Sequence, residues 1–129
     1  QTCALPISGF EADKTMQLVS DWLTRFGKDL KGIIAADDSA QALGIVEALK
    51  KAGREDVLVV AAGNSKVGMD LVKDGRLFAI TYQTAEGDGA LAVQTAADWF
   101  NGKDIPMRKN LAQHIITKAD VESFYPPQW

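Results

Sequence analysis

The stretch Gly32–Gly53, GIIAADDSAQALGIVEALKKAG, decides the fold. Ile33, Ile34, Ala35 and Ala36 form a short apolar run, as expected of a strand covered on both faces. Asp37, Asp38 and Ser39 break that run, and each can accept hydrogen bonds from the free N–H groups of a helix start. Behind them Ala42, Ile45, Val46, Leu49 and Ala52 recur at steps of three and four, which gives one apolar helix face. Glu47 precedes Lys51 by one helical turn, Lys50 and Lys51 suit the negative helix end, and Gly53 supplies the left-handed cap. Strand, acidic turn and helix make the repeating unit of a parallel α/β sheet.

Outward from this unit the pattern continues. Upstream, Ala12, Met16, Val19, Leu23 and Phe26 step by four and three, so a helix is expected over Phe10–Phe26, ended by Gly27. Downstream, Asp56–Ala62 is a second apolar run rich in β-branched residues, and Leu77–Tyr82 is a third. A short helix, Lys66–Asp74, lies between them. A long one spans Ala85–Asn101 and carries two apolar stripes: Ala90, Val93, Ala97 and Phe100, then Leu91, Thr95 and Trp99. Leu111–Ile116 alternates weakly and is expected at a sheet edge, and Thr117–Phe124 is expected to form a helical turn. Core packing is the default expectation for Trp22 and Trp99.

Composition narrows the function classes. The 129 residues are 47% apolar and 24% charged, which describes one modest globular domain. The net charge is −3 and no run of Lys or Arg occurs, so no basic patch exists for nucleic-acid phosphates. The apolar runs are too short for a membrane-spanning helix. Cys3 is the only cysteine, and no His/Cys cluster has metal-ligand spacing. The chain begins without Met or a signal-peptide pattern, and Cys3–Ser8 resembles a translated sequencing adaptor. Residues 1–8 are therefore expected to be a non-native tail.

In open parallel sheets, ligands bind beyond the carboxyl ends of the strands. Those ends offer Asp37 and Asp38, then Gly63, Asn64 and Ser65, then Gln83 and Thr84. None is a nucleophile held by a base. Short hydrogen-bonding groups of this kind suit a neutral, hydroxyl-rich ligand. Asp38 or Ser39 reads more readily as the helix cap than as a ligand contact. Asp37 is less easily explained as a cap, which leaves ligand contact open. Gly63–Asn64 is also a common turn dipeptide, and Gln83 serves equally well to bind backbone at a chain crossing. His114, the only histidine, reads as a surface or edge-strand residue.

The order of these features resembles the carboxyl-terminal part of a type I periplasmic sugar-binding protein. The resemblance runs from Phe10 to Val121. It is carried by AADDSAQALGIVEALKKAG, VVAAGNSKVGMDLVKDGRLFAITYQ, the GKDIP turn and ITKADV, in family order and spacing. It implies a three-layer αβα fold with a parallel sheet, here a carboxyl-terminal lobe over 9–83 with its amino-terminal partner missing. Residues 84–129 would be segments that return to that missing lobe. In the family the first strand ends in Asn-Asp and the Asn contacts sugar; Asp37 stands there. The family's second-strand Asp falls at Gly63, with Asn64 beside it, and its hinge Gln matches Gln83.

By this resemblance the chain is no enzyme and needs no cofactor. It would bind a sugar or polyol through Asp37, Gly63, Asn64 and Gln83 and serve the membrane permease of an ABC-type importer. It would be periplasmic or extracytoplasmic, and a monomer when complete. The rival is the effector-binding core of a lac-repressor-type regulator, which shares the fold. VKDGRLFAITYQ and GKDIP favour transport.

Overall fold

A computed structural model describes residues 8–127. The elements run α1 (Ala12–Phe26), β1 (Gly32–Ala35), α2 (Ala40–Lys51), β2 (Leu58–Ala62), α3 (Lys66–Lys73), β3 (Ala79–Thr81), α4 (Ala85–Phe100) and β4 (Ile115–Thr117). Short 3₁₀ turns occupy Gly27–Asp29 and Val121–Phe124. Of the expected amino-terminal tail, residues 1–7 lie outside the described residues; Ser8 is buried, and its hydroxyl accepts a hydrogen bond from Gln41 Nε2.

The four strands stand side by side in chain order. β1, β2 and β3 are parallel, with Ile33 beside Val59 and Ala61 beside Ile80. β4 adds antiparallel to β3, placing Ile116 beside Ile80, so the weakly alternating segment is an edge strand as expected. Both crossovers step in the same direction. Right-handed connections then put α2 and α3 on one face of the sheet.

The burial pattern records that asymmetry. Ile33, Ala35, Val59, Ala61, Ile80 and Ile116 point to the helices and are buried. The residues between them face away, and Ile34 is 85% exposed, Leu58 57% and Ile115 62%. The expectation that the β1 run is covered on both faces is thus corrected: among the described residues only one face carries a helical layer. An apolar run reports how both faces are composed, and it does not report which neighbours the chain supplies.

On the covered face Val19, Ala42, Ile45, Leu49, Met69, Leu71, Val72 and Leu77 close the core. α1 reaches it by riding on α2. The two helices meet at Gly44, where a Cβ would overlap the Ala12 carbonyl and press on Thr15, so glycine permits the close approach. α2 ends as its sequence suggests. Gly53 takes φ +63°, its N–H donates to Lys50 O at 3.1 Å, and the Arg54 N–H donates to Leu49 O at 2.9 Å. The Arg54 guanidinium then ties down the α1–β1 connection through Gly27 O and Leu30 O.

α4 is different. Thr84 caps it by accepting the Gly87 N–H at 2.9 Å, yet the helix has no buried residue. Val93 is 71% exposed, Trp99 67% and Phe100 86%, and α4 packs extensively on no other element. The default of core packing therefore fails for Trp99, whereas Trp22 is half-buried against the core. Lys103 and Lys109 from the returning loop reach Asp98 on α4, and Ile105 lines a shallow apolar groove together with Leu91 and Trp99.

Candidate ligand-binding edge

The carboxyl ends of β1, β2 and β3 lie side by side, because the three strands are parallel and in register. This brings Asp37, Gly63, Asn64 and Gln83 to one edge of the sheet. The edge is held by bonds between side chains and backbone, each joining the ends of neighbouring elements.

Asp37 is half-buried. Its Oδ1 accepts the Ser39 hydroxyl at 2.7 Å and its Oδ2 accepts the Gln41 backbone N–H at 3.0 Å. The Gln41 N–H is one of the free donors of the α2 start, so Asp37 is the residue that caps this helix. This corrects the assignment of the cap to Asp38 or Ser39: neither side chain makes it. Ser39 instead supports Asp37. The chain turns sharply enough after β1 that the earlier carboxylate folds over the helix start, and the later one points inward.

Asp38 is 3% exposed. Its Oδ2 accepts the Ser65 backbone N–H at 2.8 Å, which anchors the turn between β2 and α3. Burial pushes its carboxyl above the usual range, and the Ser65 N–H and hydroxyl oppose that push. Two glycines make its niche. A Cβ on Gly63 would lie 2.5 Å from Asp38 Oδ1, and one on Gly68 would overlap Oδ2. Ser65 in turn caps α3 by accepting the Gly68 N–H at 3.1 Å.

Gly63 takes φ +116° and donates its N–H to Thr81 Oγ1 at 3.1 Å, linking the ends of β2 and β3. Asn64 is also 3% exposed, and its Oδ1 accepts the Gln83 backbone N–H at 3.0 Å. The Gln83 side chain is exposed. Two contributors escaped the sequence reading. Thr81 puts an exposed hydroxyl on the edge, and the Gln41 side chain folds back to accept the Ala36 N–H at 3.1 Å. A polar residue at the last strand position and a Gln in the first helical turn were the available signals.

His114 lies just before β4, and its carbonyl accepts the Tyr82 N–H at 2.8 Å. Its Nε2 is 2.9 Å from Asp120 Oδ2, and its ring stacks on Phe124 with centroids 4.9 Å apart. This is the edge-strand placement expected of it. Among the described residues no cluster of His, Cys, Asp or Glu has the makings of a metal site, and no helix is long and apolar enough to cross a membrane. The edge displays the Asp37 carboxylate, the Gln83 amide, the Thr81 hydroxyl and backbone groups, a set that matches neutral hydroxyls in pairs.

The chain is thus a parallel α/β unit with a polar strand-end edge and an uncovered helix. The chain belongs to the periplasmic binding protein domain family, whose match covers residues 4–104. It is 29% identical over 89% of its length to a xylitol-binding protein of Mycolicibacterium smegmatis, covering 33% of that protein. It is 34% identical over 78% of its length to a D-ribose/D-allose-binding protein of Pseudomonas aeruginosa, covering 31% of it. Among solved structures it resembles an ABC transporter solute-binding protein from Bacillus halodurans with bound myo-inositol, at 28% identity and TM-score 0.71 over 89% of this chain and 39% of that one. A solute-binding protein from Mycobacterium smegmatis with bound glycerol gives 26% identity and TM-score 0.76 over 92% and 41%. The chain thus spans about a third of the length of these two curated relatives. The expected resemblance holds at the level of family and fold.

Proposed function

We propose that this chain is the carboxyl-terminal lobe, with its returning segments, of a substrate-binding protein of an ABC-type importer. Residues 9–83 are the lobe, and 84–129 carry the crossover to a second lobe. The ligand is a neutral sugar or polyol, held in the cleft between lobes by Asp37, Gly63, Asn64 and Gln83. Closure of the lobes traps it, and the closed protein, a monomer outside the cytoplasmic membrane, presents it to the permease. The protein catalyses no reaction, needs no cofactor and binds no nucleic acid.

The observation that carries this reading is the convergence of those four residues at the ends of three parallel strands. Asp37 uses each carboxylate oxygen once within the chain, and each has a further lone pair for a sugar hydroxyl. Gln83 offers both halves of its amide. Asn64 spends its carbonyl on the Gln83 backbone, which leaves its NH₂ as a donor. Gly63 brings backbone only. The polyols and sugars in the names of the relatives, xylitol, ribose and allose, share this chemistry.

Titration calorimetry of the protein encoded by the complete reading frame tests the proposal, with ribose, allose, xylitol and myo-inositol as the panel. Micromolar or tighter binding, about −8 kcal/mol, is expected for one of them, with far weaker binding by residues 9–129 alone. Failure of the complete protein to bind any pentose, hexose or polyol contradicts the reading.

A further inference from the structure

We infer that Asp38 is the positioning residue of this edge: it sets the β2–α3 turn so that Asn64 can hold the Gln83 backbone, and it does so without touching ligand. The inference rests on the reading of the edge as a ligand site. The Asp38 carboxylate is turned between Gly63 and Gly68 towards the β2–α3 turn, and it caps no residue of its own helix. Its hydrogen bond from the Ser65 N–H crosses from the end of β1 to the start of α3. Ser65 follows Asn64 directly, and Asn64 is the buried partner of Gln83. A buried carboxylate, a turn and a buried amide thus connect three strand ends in sequence. The glycines at 63 and 68 show that the turn is shaped around the carboxylate, since a methyl group at either position would meet it.

Asp38 is therefore distinct in kind from Asp37. The carboxylate at 37 is half-buried and faces the edge, whereas that at 38 works through Ser65. Loss of the Asp38 acceptor leaves the Ser65 N–H unpaired in a half-buried turn. The turn then relaxes, and the Gln83 backbone loses the amide that pins it.

Amide hydrogen exchange of the whole chain, followed by NMR without any sugar, tests this independently of what the edge binds. In Asp38→Ala, exchange at Ser65 and Gln83 is expected to rise by about tenfold or more relative to Ala48 in α2. Asp38→Asn, which keeps an acceptor oxygen, is expected to restore protection at both. A Gln83 amide that follows Ala48 in Asp38→Ala, or an Asp38→Asn that behaves as Asp38→Ala, overturns the inference. Should Asp38→Ala fail to fold, the unsubstituted chain decides. Ser65 and Gln83 are expected to share one opening free energy and one denaturant dependence. A Gln83 amide that opens independently of Ser65 overturns it.

Discussion

Asp38 and Gly68 occupy adjoining space: a methyl group on Gly68 would overlap Asp38 Oδ2. The two positions are one packing unit. Gly68→Ala is expected to destabilise the chain by about 1–3 kcal/mol in urea denaturation, the usual cost of overpacking. In an Asp38→Ala background the carboxylate clash is gone and only the residue-38 Cβ, at 2.7 Å, still meets the new methyl, so the cost is expected to fall without vanishing. Equal costs in both backgrounds would show that the niche is not shaped by the carboxylate.

Asp37 joins two roles. As the cap of α2 it holds the Gln41 N–H, so Asp37→Ala is expected to lower stability by ~1 kcal/mol. Asp37→Asn keeps one acceptor oxygen for the Gln41 N–H, obliges the Ser39 hydroxyl to accept from the amide NH₂ instead of donating, and loses the charge at the helix start, a few tenths to about 1 kcal/mol for the charge. In the complete protein Asp37→Ala also weakens sugar affinity by about tenfold or more, because ligand hydroxyls lose a partner in a dry cleft. Unchanged affinity with lowered stability would confine Asp37 to capping.

Asp120 contributes to the expected acid response. The Thr117 backbone N–H, then His114 Nε2 and the Thr117 hydroxyl, hold its carboxyl down at about 2 against an ordinary 3.8. The unfolded chain takes up this proton first as pH falls, so the stabilisation is complete above pH 3.8 and is lost on descent towards about 2. Asp38 works in the opposite sense. Its raised value means that the folded chain keeps the proton longer, so its contribution is full below 3.8 and declines as pH rises through its folded value. Asp120→Asn should flatten the acid limb of a stability–pH curve, and Asp38→Asn should steepen it. Acid limbs that coincide with that of the unsubstituted chain in both variants would contradict these assignments.

The uncovered faces carry a prediction of their own. Ile34, Leu58 and Ile115 on the sheet and Val93, Trp99 and Phe100 on α4 are all exposed. Large apolar side chains exposed together on one helix or one sheet face mark a lost interface or an aggregation hazard. The chain by itself should bind a hydrophobic dye and self-associate in sedimentation. Serine at Val93, Trp99 and Phe100 should reduce both. A monomer that ignores the dye would mean that α4 finds cover within the chain.

Much of this architecture was legible because it is local. The four-and-three stepping of α1, the apolar runs of β1 to β3 and the Gly53 terminator all lie where their residues indicate. The four candidate site residues meet at one edge because parallel strands put their carboxyl ends together. The misreadings are non-local. Asp37 and Asp38 are adjacent carboxylates within reach of the same helix start, and only the burial of one between Gly63 and Gly68 separates their roles. Ile34 and Trp99 have the composition of covered residues, and their exposure depends on which other elements are present to pack. The role of the Thr81 hydroxyl is not legible locally, because its bond to Gly63 crosses between strands.

The central claim is that the sugar sits against the ends of β1, β2 and β3, and a crystal structure of the complete protein with its tightest ligand tests it most directly. Sugar oxygens are expected within about 3 Å of the Asp37 carboxylate and the Gln83 amide, with Asp38 buried behind them and out of contact. A ligand seated away from this edge, for instance in the shallow groove between α1 and α2 beside Leu23 and Lys51, would contradict the account.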